Sequence, residues 1–307
     1  MSDCCTRIHA EARPARAVER EQVDGMTFRT FAMVAACAIV QAPATALAQP
    51  PVRPDVRSAG RARQLPDPLS ADRPGLGDSS DVVGRGVWQI ETGFSLEGDR
   101  DGGPSTAQEF TTPLLLVRIG VAERIDVRLG VEGLVADSSG VAGSDWQSGR
   151  SDIELGMRWL VADQKQLGVD LTMMPLLSVP AGSEGSTSHG YDPTLKLAWN
   201  RDLSHRFSLS GNVHVASLTG SGGRFVQHAV SVAAGRELSA RWAGYAELFT
   251  ASAFERNGSR GWIGDAGVTH ALGSNVQVDV SGGVGLNDAA PDWFFSAGLV
   301  FRGLLDR

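Results

Sequence analysis

The chain has 307 residues with 42% hydrophobic and 21% charged content, 37 glycines and a formal net charge of -7. No run of roughly 18 or more apolar residues occurs, which excludes a bundle of membrane-spanning helices. An acidic balance with only two lysines, Lys165 and Lys196, argues against a nucleic-acid surface.

The amino-terminal region divides by composition. Residues 1–25 are polar and charged and read as an over-called extension, with translation starting at Met26. From there Arg29, the apolar stretch Phe31 to Val40, and Ala46-Leu47-Ala48 form a secretory signal over 26–48, with Ala46 and Ala48 as the cleavage residues. The rival reading takes Val34-Ala35-Ala36-Cys37 as a lipoprotein box, but the apolar run continues past the cysteine. Cys4, Cys5 and Cys37 all precede the cut, so the exported chain carries no thiol for disulfides or metal binding. Residues 49–85 are rich in Pro and Arg and lack any apolar period, and read as an extended periplasmic lead-in.

From Gly86 onward apolar and polar residues alternate. Twelve segments carry this period: 86–97, 110–121, 125–136, 151–161, 167–179, 193–200, 206–218, 225–235, 242–253, 261–272, 276–286 and 293–302. In the third, Ile125, Val127, Leu129 and Val131 oppose Asp126, Arg128 and Glu132; in the fourth, Ile153, Leu155, Met157 and Trp159 oppose Asp152, Glu154 and Arg158. Tyr245, Phe249, Phe294 and Val300 are apolar exceptions on otherwise polar faces. The first connections alternate long and short, as in outer-membrane barrels with long outer loops and short periplasmic turns. The predicted fold class is therefore all-β, a transmembrane antiparallel up-and-down barrel of about twelve strands over 86–302.

Tryptophan placement separates this from a soluble sandwich, whose apolar faces point inward. Trp88, Trp159, Trp199 and Trp242 fall at strand ends on the short-turn side, and Trp262 and Trp293 on the long-loop side, each on the apolar face. Two aromatic rings bordering an apolar band are what a bilayer interface selects. The last strand is then the closing edge, which must pair with the strand opening at Gly86 so that no sheet edge is free.

The chain resembles the outer-membrane family of the MetA pathway of phenol degradation. The resemblance rests on Ala71-Asp72-Arg73-Pro74, Gly86 to Phe94, Asp265 to Thr269, Asn275 to Asp279, Gly285-Leu286-Asn287 and Ala290 to Trp293, taken in order. It implies a transporter that passes small aromatic or hydrophobic solutes across the outer membrane. It also implies an aromatic assembly signal at the last strand. Here Arg302 is followed by Gly303 and the tail Leu304-Leu305-Asp306-Arg307, so either Phe301 takes that role or assembly is less efficient than in the family. The partners expected are outer-membrane lipid, the barrel-assembly machinery and a small-molecule solute.

No H-E-x-x-H, P-loop or G-x-S-x-G pattern is present, and neither a metal nor a cofactor is expected. His214, with Ser208, Ser210 and Asn212 on the same face, is the nearest approach to a hydrolase pair, and reads better as a solvated lumen residue. Twelve strands close to a backbone diameter of roughly 24 Å, reduced to about 10 Å by side chains. The predicted solute pathway is lined by Arg118, Asp126, Arg128, Glu132, Asp152, Glu154, Arg158, Asp170, Lys196 and Asp279. Either these mixed charges select what passes, or they pair across the barrel and plug it, leaving a closed structural or anchoring barrel.

Overall fold

A computed structural model describes residues 69–100, 106–138, 147–220 and 222–305. The expected extension, signal and cleavage residues lie outside these. The strands are β1 (Val87–Arg100), β2 (Thr106–Ala122), β3 (Ile125–Ser138), β4 (Gln147–Gly149), β5 (Ile153–Ala162), β6 (Asp170–Val179), β7 (Asp192–Asp202), β8 (Phe207–Gly220), β9 (Gly223–Glu237), β10 (Trp242–Ala251), β11 (Gly261–Ala271), β12 (Val276–Gly285) and β13 (Trp293–Leu304). One helical turn, α1 (Gln164–Leu167), fills the β5–β6 connection.

Apart from β4, a three-residue ribbon on β3, each strand pairs antiparallel with its chain neighbours, and β3 pairs directly with β5. The seam is closed by β1 and β13 in register from Val87↔Leu304 to Gly98↔Trp293. Closure of twelve strands leaves no sheet edge without a partner. The closing strand runs two residues beyond the expected Arg302, because Gly303 and Leu304 pair with Trp88 and Val87.

The outer face is apolar around the circumference. Leu129, Leu155, Leu195, Val215, Val230, Leu248, Val268, Val280 and Phe295 are all among its exposed large side chains. A soluble protein does not leave such a continuous apolar surface in water, whereas a bilayer requires it. Trp159, Trp242 and Trp262 project outward at 43%, 46% and 38% exposure. Trp88, Trp199 and Trp293 are half-buried, and each is paired across the sheet with a glycine, Gly303, Gly211 and Gly98 respectively. A Cβ at these glycines would fall 2.6 to 3.0 Å from the indole, so the missing side chain gives each ring its seat.

The interior is not an open tube. Residues 69–85, expected to extend into the periplasm, instead fold back into the barrel. The segment leaves β1 through Gly84 and Gly86, both at positive φ. It rises to Leu76 and returns to Ser70, whose carbonyl accepts a hydrogen bond from Gln89 at 2.9 Å and whose hydroxyl meets Ser79 at 2.9 Å. Leu76 packs in a buried apolar cluster with Ala229, Phe249, Ala251, Phe254, Ile263 and Ala290, and Phe294 packs against it. The apolar exceptions Phe249 and Phe294 thus face inward because they have an inward partner. The segment has no apolar period because it is held by long-range polar contacts and forms no strand of its own.

Candidate lumen site

The plug segment is anchored through two aspartates and one arginine. Arg118, Arg128, Arg158 and Lys196 project from β2, β3, β5 and β7 and form a basic wall, each 4% exposed or less. Asp72 meets Arg158 in an ion pair and lies 3.5 Å from Arg128 and 4.0 Å from Arg118. Asp78 pairs with Lys196, with Arg128 at 2.9 Å and with Arg158 at 3.6 Å. Asp126 and Glu154 complete the balance, on Arg118 at 3.0 Å and Arg128 at 3.1 Å. Backbone groups of the plug add to the hold. The Asp81 carbonyl accepts from Arg118 and Arg158, the Ser80 carbonyl from Thr172, and the Val83 amide donates to Asp126. Cations this deeply buried require such pairing, because an unpaired charge away from water is costly.

The facing wall, made by β1 and β10 to β13, is acidic. Glu91 accepts the amides of Asp72 and Arg73 at 3.0 Å each. Glu247 accepts those of Leu76 at 2.8 Å and Gly77 at 3.2 Å. The Arg73 guanidinium pairs with Asp279 at 3.0 Å and donates to Ser296 at 2.9 Å. It lies over Gly93 and Gly298, partners across the β1–β13 seam, where a Cβ on Gly298 would stand 2.0 Å from its Nε. Only glycine allows the arginine this close to the sheet. Asp72 and Arg73 belong to the Ala71-Asp72-Arg73-Pro74 stretch, and the two side chains reach opposite walls.

Of the residues expected along a solute pathway, seven are brought together around the plug: Arg118, Asp126, Arg128, Glu154, Arg158, Lys196 and Asp279. Three stand apart. Asp170 accepts the Gln164 amide at 2.8 Å and fastens the turn beneath β6. Asp152 accepts from Gly182 at 3.0 Å and from the Ser188 amide and hydroxyl at 2.9 and 2.7 Å, pinning the 180–191 loop. These hydrogen bonds, with one from Thr187, hold its carboxyl below the usual range although burial pushes it up. Glu132 sits beside Ser151 at the loop end. His214 meets Gln227 at 3.3 Å.

Glu91, Glu247 and Asp78 are not among the residues expected in the lumen, and Asp72 and Arg73 stand out in the sequence only through the family resemblance. One signal was available: Phe249 and Phe294 are apolar at inward positions, where an occupant must pack. Beside the plug, between Leu114, Leu116, Arg128, Glu132 and Glu154, remains a cavity of about 40 Å³. That is room for about one water.

Among solved structures, an outer membrane channel from Pseudomonas putida F1 superposes with a TM-score of 0.57 at 11% identity, over 73% of this chain and 98% of that one. The KdgM porin follows at 0.45 and 10%, over 69% and 98%, and the NanC porin at 0.44 and 9%, over 70% and 98%. No curated protein matches the sequence significantly. The fold is that of an outer-membrane β-barrel. The profile of the family described as the MetA-pathway of phenol degradation matches residues 71–303, from the residue before Asp72 to the closing strand, and the chain belongs to that family.

Proposed function

We propose that this protein is a gated outer-membrane channel for small aromatic or hydrophobic solutes, in which residues 69–85 are the gate. The observation that carries the reading is the way the lumen is filled. The plug is a short segment hung on one flank from Gly84 and Gly86, and it is held by ion pairs and hydrogen bonds that water and ions can replace. A barrel built only as an anchor has no need of a separable filling. The likeness to an outer membrane channel and the phenol-degradation family support a conduit rather than a catalyst. An apolar inner surface at Leu114, Leu116, Met174 and Leu176 offers a weakly polar path once the plug withdraws.

A second reading, a permanently closed structural barrel, is favoured by the size of the remaining cavity. Planar-bilayer recording separates the two. The refolded protein should give brief, infrequent current steps, and Asp72→Asn with Asp78→Asn should lengthen them. Small phenols should block the current more strongly than sugars of similar mass. Silent bilayers with both proteins, each folded by heat-modifiable gel mobility, would leave the closed barrel as the better account. Equal block by phenols and sugars would remove the proposed solute class while keeping the channel.

A further inference from the structure

The lipid-facing rim at the short-turn end is uneven. Around β1 to β6 its outward strand positions are uncharged, Trp88, Val121, Ile125, Trp159, Val161 and Leu171, and the charged Arg85, Glu123, Arg124 and Lys165 there lie off the strands. Around β7 to β10 they turn basic. Arg201 follows Leu195, Leu197 and Trp199 on the outward face of β7, and Arg236 follows Val230, Val232 and Ala234 on that of β9. The intervening turns add Arg206 and Arg241, both exposed. The Arg201 row continues across the sheet through Leu209 to Ala234, and one step lower Phe207 is paired with Arg236.

Arg236 is held in place without a counter-ion. Its Cζ lies 5.0 Å from the centroid of the Phe207 ring, and its buried Nε has no hydrogen-bond partner. Among the described residues none of Arg201, Arg206, Arg236 and Arg241 forms an ion pair, whereas Arg124 on the neighbouring turn is paired with Asp163 at 2.7 Å. The carboxylates nearest in sequence are Asp202 and Glu237. Asp202 lies on the inward side by strand alternation and accepts from Asn200 at 3.2 Å, while Glu237, exposed at the end of β9, donates its amide to the Arg206 carbonyl at 2.9 Å. Above the arginines the outward face is apolar, with Val213 and Val232 at 46% and 44% exposure, and Trp199 and Trp242 flank it at interfacial depth.

From this geometry we infer that the rim of β7 to β10 binds an anionic glycerophospholipid of the periplasmic leaflet. The phosphate sits between Arg201 and Arg236, and the acyl chains lie along the Leu209, Val213 and Val232 face. Guanidinium groups match phosphate oxygens in pairs, and the apolar band directly above fits acyl chains and not a soluble phosphate. The short-turn end faces the periplasm in barrels of this kind, which places the site in the phospholipid leaflet.

Native mass spectrometry of the refolded full-length exported chain, titrated with phosphatidylglycerol or phosphatidylcholine of the same acyl chains, tests this. The wild-type protein should retain phosphatidylglycerol preferentially. Arg201→Gln with Arg236→Gln should lower that preference about twenty-five-fold, at roughly fivefold per arginine. Arg260→Gln, at the opposite rim, should leave it unchanged. Heat-modifiable mobility establishes that each variant is folded. Equal retention of the two lipids by the wild type, or an undiminished preference in the folded double variant, would overturn the inference.

Discussion

The two walls of the lumen hold the same segment by different means. The basic wall of β2, β3, β5 and β7 binds the plug through the side chains of Asp72 and Asp78. The acidic wall binds it mainly through main-chain amides, four of them on Glu91 and Glu247, with Arg73 as its one charged contact. A carboxylate removed from the plug therefore takes a shared partner from three buried cations at once. A charge removed from the acidic wall leaves amides that a neutral oxygen can still satisfy. The basic wall is thus where the closed state is most easily broken, and the acidic wall is where the plug's path is aligned.

Three substitutions would break or sharpen that contrast. Asp78→Ala removes a shared partner of Lys196, Arg128 and Arg158, and should cost about 3–5 kcal/mol of closed-state stability. It should be visible as a lower heat-modification midpoint and as prolonged bilayer currents. Leu76→Ala empties the apolar cluster at the plug's tip and should cost about 2–4 kcal/mol, read in the same midpoint. Glu247→Gln keeps an acceptor for the Leu76 and Gly77 amides and should cost only about 0.5–1.5 kcal/mol. If Glu247→Gln proved as damaging as Asp78→Ala, the distinction between the walls would fail.

Acid should give the smallest effect and leave the gate out of it. Because Asp152 is held below the usual carboxylate range, its contribution to docking the 180–191 loop is present above the unfolded value and is lost as pH falls through the folded one. Hydrogen exchange at the Gly182 and Ser188 amides should therefore stay slow at neutral pH and quicken, relative to an Asp152→Asn control, only under strongly acidic conditions. Early loss near pH 6 would show that another group sets the loop.

The barrel was legible in the sequence because a transmembrane strand must satisfy lipid on one side at every second residue. Leu129, Val131, Leu155 and Val280 repeat that demand, and a one-residue slip would turn Arg128 or Arg158 toward lipid. The closing pair was legible from the need to leave no edge. The plug obeys no such rule. Its Gly75-Leu76-Gly77 tip and its flanking aspartates take their conformation from partners far away in the chain: Asp279 lies 206 residues from Arg73, and Glu247 171 from Leu76. What the sequence did carry was a pair of apolar residues, Phe249 and Phe294, on a wet face. Those departures from alternation marked the places where an occupant packs.

The central claim is that residues 69–85 must move for the barrel to conduct. A Cβ at Gly77 would lie 2.7 Å from the Ser231 hydroxyl, so Gly77→Cys with Ser231→Cys places two thiols in reach of a plug-to-wall disulfide in a chain that has no other cysteine after Cys37. Bilayer currents of this variant should be absent when oxidised and return on reduction. Currents of the same size and duration in the oxidised, cross-linked protein would contradict the account.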